Sequence, residues 1–200
     1  MILNALLTAL ASYLIGSFSS AYVLGKVFLK KDIRNYGSGN AGTTNAVRVF
    51  GKKIGAITFI LDMLKGVLAV YIGGRLLGYE GKIIAGIFAV IGHNWPIFFK
   101  FKGGRGIATS FGVLISLYWP IAILSFIFFI VVVAITRYVS LGSILCAILV
   151  PILGILIKKP FDRLYVIATV ILAIMAIFRH RDNIRRLMQG QEFKIGERVE

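Results

Sequence analysis

Apolar residues run through this chain in long uncharged stretches, and the polar residues are confined to the short segments between them. The first stretch, Ile2 to Gly25, carries no charge and is long enough to span a bilayer at about 1.5 Å per residue. It lacks the basic leader and shorter core of a signal peptide, and six more apolar segments follow, so it reads as a retained helix. A second span is expected from about Ile54 to Gly74, with Asp62 and Lys65 three apart on one helical face. A short third runs from about Ile83 to His93 and is followed by Trp95-Pro96. The stretch Ile107–Ile135 is long for one helix and short for two, with Trp119-Pro120 near its middle. Further spans are expected at about Val139–Ile157 and Phe161–Phe178.

Charge decides the ambiguous stretch, because basic residues accumulate on the cytoplasmic side of short loops. If the chain turns at Pro120, there are seven spans and the amino terminus lies outside. The inner segments then hold Lys26, Lys30, Lys31, Arg34, Arg48, Lys52, Lys53, Lys100, Lys102, Arg105, Arg137, Arg179, Arg181, Arg185, Arg186, Lys194 and Arg198. The outer ones hold only Arg75, Lys82, Lys158, Lys159 and Arg163, with Lys65 left in the membrane, which accounts for all 23 Lys and Arg. A single span would put Arg137 and the basic tail outside. The expected fold is therefore all-α, a polytopic membrane protein of seven transmembrane helices, several of them short. The carboxyl terminus is cytoplasmic, and residues 1–200 form one domain without repeat or linker.

Composition agrees: the chain is 58% hydrophobic with a mean hydropathy of +0.87, above the roughly 45–50% apolar content of soluble domains. A net charge of +15 invites a nucleic-acid reading, but the aromatics lie in the apolar runs and not among the cations. A basic membrane face meeting anionic lipid or anionic substrate fits better. The lone Cys146 sits in an apolar run as a small core residue.

Three unusual segments share the cytoplasmic face in this topology. Gly37-Ser38-Gly39-Asn40-Ala41-Gly42-Thr43-Thr44-Asn45, with Arg48 close behind, offers backbone N–H groups and hydroxyls to an anion. Such runs are also common as plain turns. The Lys-Ser/Thr ending of a nucleotide-binding P-loop is missing. The second segment, Gly92 to Gly106, mixes aromatics with Lys100 and Lys102. It ends in Gly103-Gly104-Arg105-Gly106 at the start of a helix, a second place for an anion. An interfacial aromatic belt explains its Trp and Phe residues but not that glycine cluster. The third, Arg179-His180-Arg181-Asp182-Asn183-Ile184-Arg185-Arg186, closes the last span, with His180 and Asn183 three apart. Its arginines suit a helix carboxyl terminus. Asp62 and Lys65 either neutralise each other or mark function, since intramembrane charges are expensive. No metal-ligand array and no Gly-x-Ser-x-Gly elbow is present.

In this order, Gly37–Asn45 with Arg48, Gly92–Thr109 and His180–Glu192 resemble the three cytoplasmic motifs of the bacterial acyl-phosphate:glycerol-3-phosphate acyltransferase family (PlsY). The resemblance covers nearly the whole chain. It implies transfer of a fatty acyl group from acyl phosphate to the sn-1 hydroxyl of glycerol 3-phosphate. The products would be lysophosphatidic acid and phosphate, the first step of phospholipid synthesis. It implies that Ser38, Arg48, His180 and Asn183 are catalytic, that Gly103, Gly104 and Gly106 bind acyl phosphate, and that Glu192 serves structure. Arg48, Lys102 and Arg105 are expected to neutralise phosphates, and Ser38, Asn40 and glycine N–H groups to cradle them. Gly37, Gly39, Gly42, Thr44, Asn45, Lys65, His93 and Thr109 complete the expected substrate-binding set. Arg105 stands where the family commonly has Lys, exchanging a point charge for a planar fork. Either His180 or a substrate phosphate takes the proton. The expected partners are the two substrates and membrane lipid, with no nucleic acid, metal, cofactor or obligatory protein partner, at the bacterial inner membrane with the site on its cytoplasmic face. The competing reading is a transporter of an anionic metabolite. It would place polar groups at the midplane and show matching halves of the chain, whereas here they gather at one face.

Overall fold

The computed structural model describes residues 1–197, so Arg198 of the charge count lies outside the described residues. Its helices are α1 (Ile2–Gly16), α2 (Ser20–Leu29), α3 (Thr43–Phe50), α4 (Lys52–Asn94), α5 (Ile107–Thr136), α6 (Val139–Ile157), α7 (Arg163–Arg179) and α8 (Arg181–Met188). Short 3-10 turns cover Ile33–Asn35 and Ile97–Phe99. The described chain divides into two compact units, Met1–Val113 and Leu114–Ile195, with Gly196 and Glu197 grouped with the first.

The stretches Ile2–Leu29, Lys52–Phe99, Ile107–Thr136 and Val139–Ile157 are each apolar and long enough to cross a membrane, and α7 with α8, bent by 58°, passes as a fifth. Two of these helices, α4 and α5, contain a sharp break within them. In α4 the helical angles fail at Leu77 and Gly78, where Gly78 has φ 58°, and in α5 they fail at Tyr118. Counting the halves separately gives seven helical segments. The break in α5 falls just before Trp119-Pro120. A proline ring removes one backbone donor and collides with the preceding turn, but it fits the first turn of a new helix.

The first span differs from the expected unbroken helix over Ile2–Gly25. It is interrupted at Ser17-Phe18-Ser19 and resumes at Ser20. A break in hydrocarbon leaves backbone carbonyls without partners, which is tolerated only where protein supplies them. Lys65 of α4 does so, its Nζ donating to the Phe18 carbonyl at 2.6 Å. Beside it the Ser20 hydroxyl donates to Asp62 Oδ1 at 2.9 Å. Hydropathy registers no such cross-helix bond, which is why it reads the span as continuous.

Burial in α1 follows membrane logic. Thr8 and Ser12 are fully buried, while Leu3, Leu6, Leu7 and Leu10 are exposed. Lipid solvates large apolar side chains, so small residues go to helix contacts, where they let backbones approach. At the α1–α4 crossing a methyl group added at Gly16 would overlap the Ala89 carbonyl, and one added at Gly92 would overlap the carbonyl of Tyr13. The Tyr13 hydroxyl closes the same crossing by donating to the Trp95 carbonyl at 2.9 Å. Gly92→Val is therefore expected to cost at least about 1–3 kcal/mol by overpacking, seen as a lowered Tm in detergent. An unchanged Tm would mean that this crossing is loose.

Candidate active site

The first glycine-rich segment is shaped by a single side chain. Asn45, 2% exposed, accepts the Ser38 N–H at 2.9 Å through Oδ1. Its Nδ2 donates to the carbonyls of Ile33 at 3.3 Å and Tyr36 at 3.0 Å. Asn45 is thus occupied in folding the loop, as a staple between the turn and α3. Gly37 and Gly39 take φ 61° and 68°, a left-handed backbone that glycine adopts without penalty. The loop enters α3 at Thr43 through Gly42. Asn40 Oδ1 and Thr43 Oγ1 are buried there without a hydrogen-bond partner. Ser38, Thr44 and Arg48 are half-buried.

The second segment lies against the first. A methyl on Gly42 would sit 3.5 Å from Asn40 Oδ1 and 4.0 Å from the Gly104 Cα. Gly104 donates its N–H to the His93 carbonyl at 3.0 Å, and a side chain there would collide with the His93 ring at Nε2. Only glycine fits that contact. Gly106, φ 81°, leads into α5 beside Asn94, whose carboxamide is fully buried and has neither polar atom paired. Thr109 Oγ1, one turn into α5, is also buried without a partner. Lys102 is exposed and Arg105 half-buried.

Behind these loops lies the buried charge of α4. Asp62 Oδ1 meets Lys65 Nζ at 3.0 Å and His93 Nδ1 at 3.6 Å, besides the Ser20 hydroxyl. Lys65, only 6% exposed, bonds inward to Asp62 and Phe18. Outside the membrane segments, Asp32 and Arg34 form a bidentate pair, Nε to Oδ1 at 3.0 Å and Nη2 to Oδ2 at 2.8 Å. The Arg34 hydrogen bonds hold the Asp32 carboxyl below the usual carboxylate range. A lowered carboxyl stabilises the fold fully above its unfolded value and loses that contribution only as pH falls through the lowered one, so the pair persists above about pH 5.

The third motif belongs to the second unit. His180 sits at the corner between α7 and α8, 2% exposed, with Nδ1 at 2.7 Å from the Ala176 carbonyl. A carbonyl only accepts, so Nδ1 carries the hydrogen that faces it. Glu192 is the centre of a buried network. Its Oε1 accepts from Asn183 Nδ2 at 2.6 Å and from the Ser140 hydroxyl at 2.8 Å, and its Oε2 accepts from Arg186 Nε at 2.8 Å. Asn183 therefore has its amide donor tied to Glu192 while Oδ1 remains buried and unpartnered. A second tie holds the tail, where the Ile195 N–H donates to the Arg137 carbonyl at 2.8 Å.

Sequence reasoning omitted Asn94 and Ser140 from the site. Asn94 is legible only as a polar residue at an apolar helix end, and Ser140 carries no sequence signal at all.

A family model described as glycerol-3-phosphate acyltransferase matches residues 6–190. The chain belongs to the glycerol-3-phosphate acyltransferase family. It is 48% identical to the glycerol-3-phosphate acyltransferase of Thermoanaerobacter pseudethanolicus over 98% of each chain. Its backbone is similar to the crystal structure of PlsY, an integral membrane glycerol 3-phosphate acyltransferase, in its glycerol 3-phosphate form. That likeness has a TM-score of 0.90 at 36% identity, covering 96% of each chain. The lysophosphatidic acid form of PlsY gives a TM-score of 0.87 at 35% identity, covering 96% of this chain and 95% of that one.

Two substitutions probe these acyltransferase loops. Gly104→Ala drives a methyl into the His93 ring and should raise the KM for one phosphate substrate at least about tenfold, which is 1.4 kcal/mol of binding. Glu192→Ala strands Asn183, Ser140 and Arg186 and should cost about 2–4 kcal/mol of stability. A Tm within error of wild type would remove Glu192 as the anchor of the tail.

Proposed function

We propose that this protein transfers a fatty acyl group from acyl phosphate to the sn-1 hydroxyl of glycerol 3-phosphate, releasing phosphate and lysophosphatidic acid. The observation that carries this reading is the pair of abutting glycine loops, Gly37–Gly42 and Gly103–Gly106, with buried unpartnered polar atoms at Asn40, Thr43, Asn94 and Thr109. Two adjoining anion-sized loops in a chain of membrane-crossing helices match two phosphate-bearing substrates, one of them an amphiphile. The glycerol 3-phosphate and lysophosphatidic acid forms of PlsY support the same acceptor and product.

In the reaction, the glycerol hydroxyl oxygen bonds to the acyl carbonyl carbon, and the bond from that carbon to the phosphate oxygen breaks. Phosphate is already a good leaving group, so the enzyme needs no nucleophile of its own. Its task is to hold the hydroxyl against the carbonyl and to stabilise the oxyanion. Arg48, Lys102 and Arg105 neutralise the phosphates, and Ser38, Asn40, Thr44 and glycine N–H groups bind their oxygens. The hydroxyl proton goes to His180 Nε2 or to a substrate phosphate oxygen. The Nδ1 bond to Ala176 supports the first, since in the neutral ring it leaves Nε2 as the acceptor. Residues 1–200 act as one catalytic domain in the bacterial inner membrane, with the amino terminus outside and the motif loops on the cytoplasmic face, as the charge bias supports.

Purified protein in lipid, given glycerol 3-phosphate with palmitoyl phosphate or palmitoyl-CoA, should form lysophosphatidic acid from palmitoyl phosphate alone. Ser38→Ala and Arg48→Ala should lower the rate at least about 100-fold, the scale of losing one oriented charge or donor in a transition state. His180→Gln at near wild-type rate would assign the proton to substrate phosphate. Absence of product with both donors, in folded protein, would overturn the proposal.

A further inference from the structure

Besides Asp32, Arg34 meets two other partners, the Phe99 carbonyl and the Tyr22 ring, and together they tie the two glycine loops to each other. It lies in the turn Ile33–Tyr36, whose carbonyls the Asn45 staple holds and which leads directly into Ser38. Its remaining terminal nitrogen, Nη1, leaves that turn and donates to the Phe99 carbonyl at 3.1 Å. The same carbonyl accepts the Lys102 N–H at 3.2 Å, and so belongs to the turn that delivers Lys102, Gly103 and Gly104. Both lone pairs of Phe99 O are therefore used, one by the second loop and one by Arg34. The guanidinium also lies 4.8 Å from the centre of the Tyr22 ring, and Tyr22 packs on Phe99 with ring centres 4.7 Å apart. Asp32 fixes the plane of the fork, which only a guanidinium can offer to three acceptor atoms at once.

The geometry points to Arg34 as a positioning residue that sets the spacing between the two phosphate-binding loops, and to Asp32 as the group that aims it. This rests on the two-substrate reading above. Each loop binds its own phosphate without Arg34, but attack of the hydroxyl on the face of the acyl carbonyl depends on the distance between them. Misplacement by about 1 Å can cost 100-fold in rate.

Initial rates over a grid of both substrate concentrations test this, with rates expressed per folded enzyme. For Arg34→Met, kcat should fall about 10- to 100-fold while both KM values stay within about threefold. Arg34→Lys keeps the cation over Tyr22 and one bond to Phe99, and should recover part of the loss. A kcat within twofold of wild type, or a loss lying wholly in KM, would overturn the assignment. Ratios are taken with whichever donor the wild type uses, so a failure of the acyl-phosphate reading stays distinguishable. A readout independent of turnover uses nitroxide labels at Asn35→Cys and Lys102→Cys in a Cys146→Ser background. The label-to-label distance distribution should broaden in Arg34→Met, and an unchanged distribution would also overturn it. If Arg34→Met does not fold, Asp32→Asn carries both measurements, with the same expected signs and the same refuting outcomes.

Discussion

Asp62 is a carboxylate buried in a membrane-crossing helix, and much of the first unit is arranged around satisfying it. It gathers the Ser20 hydroxyl and the Lys65 ammonium, with the His93 ring alongside. Lys65 in turn caps the Phe18 carbonyl exposed by the break between α1 and α2. Removing one partner from such a set leaves a buried charge uncompensated, which generally costs several kcal/mol. The break, the ion pair and the seat of His93 therefore stand or fall together. His93 carries the consequence outward, because Gly104 rests on its ring and bonds to its carbonyl. A charge inside the membrane thereby supports the loop at its surface.

The glycine loops show how little side-chain bulk the site tolerates. Gly42 and Gly104 face each other closely, and Gly104 has the His93 ring behind it. A methyl on Gly104 would meet the His93 ring, and the Gly104 N–H is already bonded to the His93 carbonyl, so the close approach of the two loops depends on the missing side chains. The polar atoms around them are buried, so their interaction with an anion is weakly screened and correspondingly strong.

The third motif has a different architecture. Ser140, Asn183 and Arg186 are held by a buried acid reached through the chain that follows α8, so Glu192 ties α6 and α8 to the tail. His180 is oriented by the carbonyl of its own helix, a local device that a helix end supplies.

Much of this was legible in the residue order. Uncharged runs of bilayer length, the Pro120 break and the three polar motifs follow from local composition, because hydrocarbon leaves a chain few alternatives to helix. The motif residues stood out because glycine beside charge has no structural return in a helix. What the order of residues did not contain is which polar group bonds to which. The break at Ser17–Ser19, the inward turn of Lys65, the loop-folding role of Asn45 and the bond from Arg34 to Phe99 all join residues distant in sequence or compete with an equally reasonable local role. Hydropathy and spacing describe each segment alone. Only the tertiary structure brings a donor on one helix to an orphaned acceptor on another, and in a membrane that pairing decides where helices stop and which polar side chains remain for chemistry.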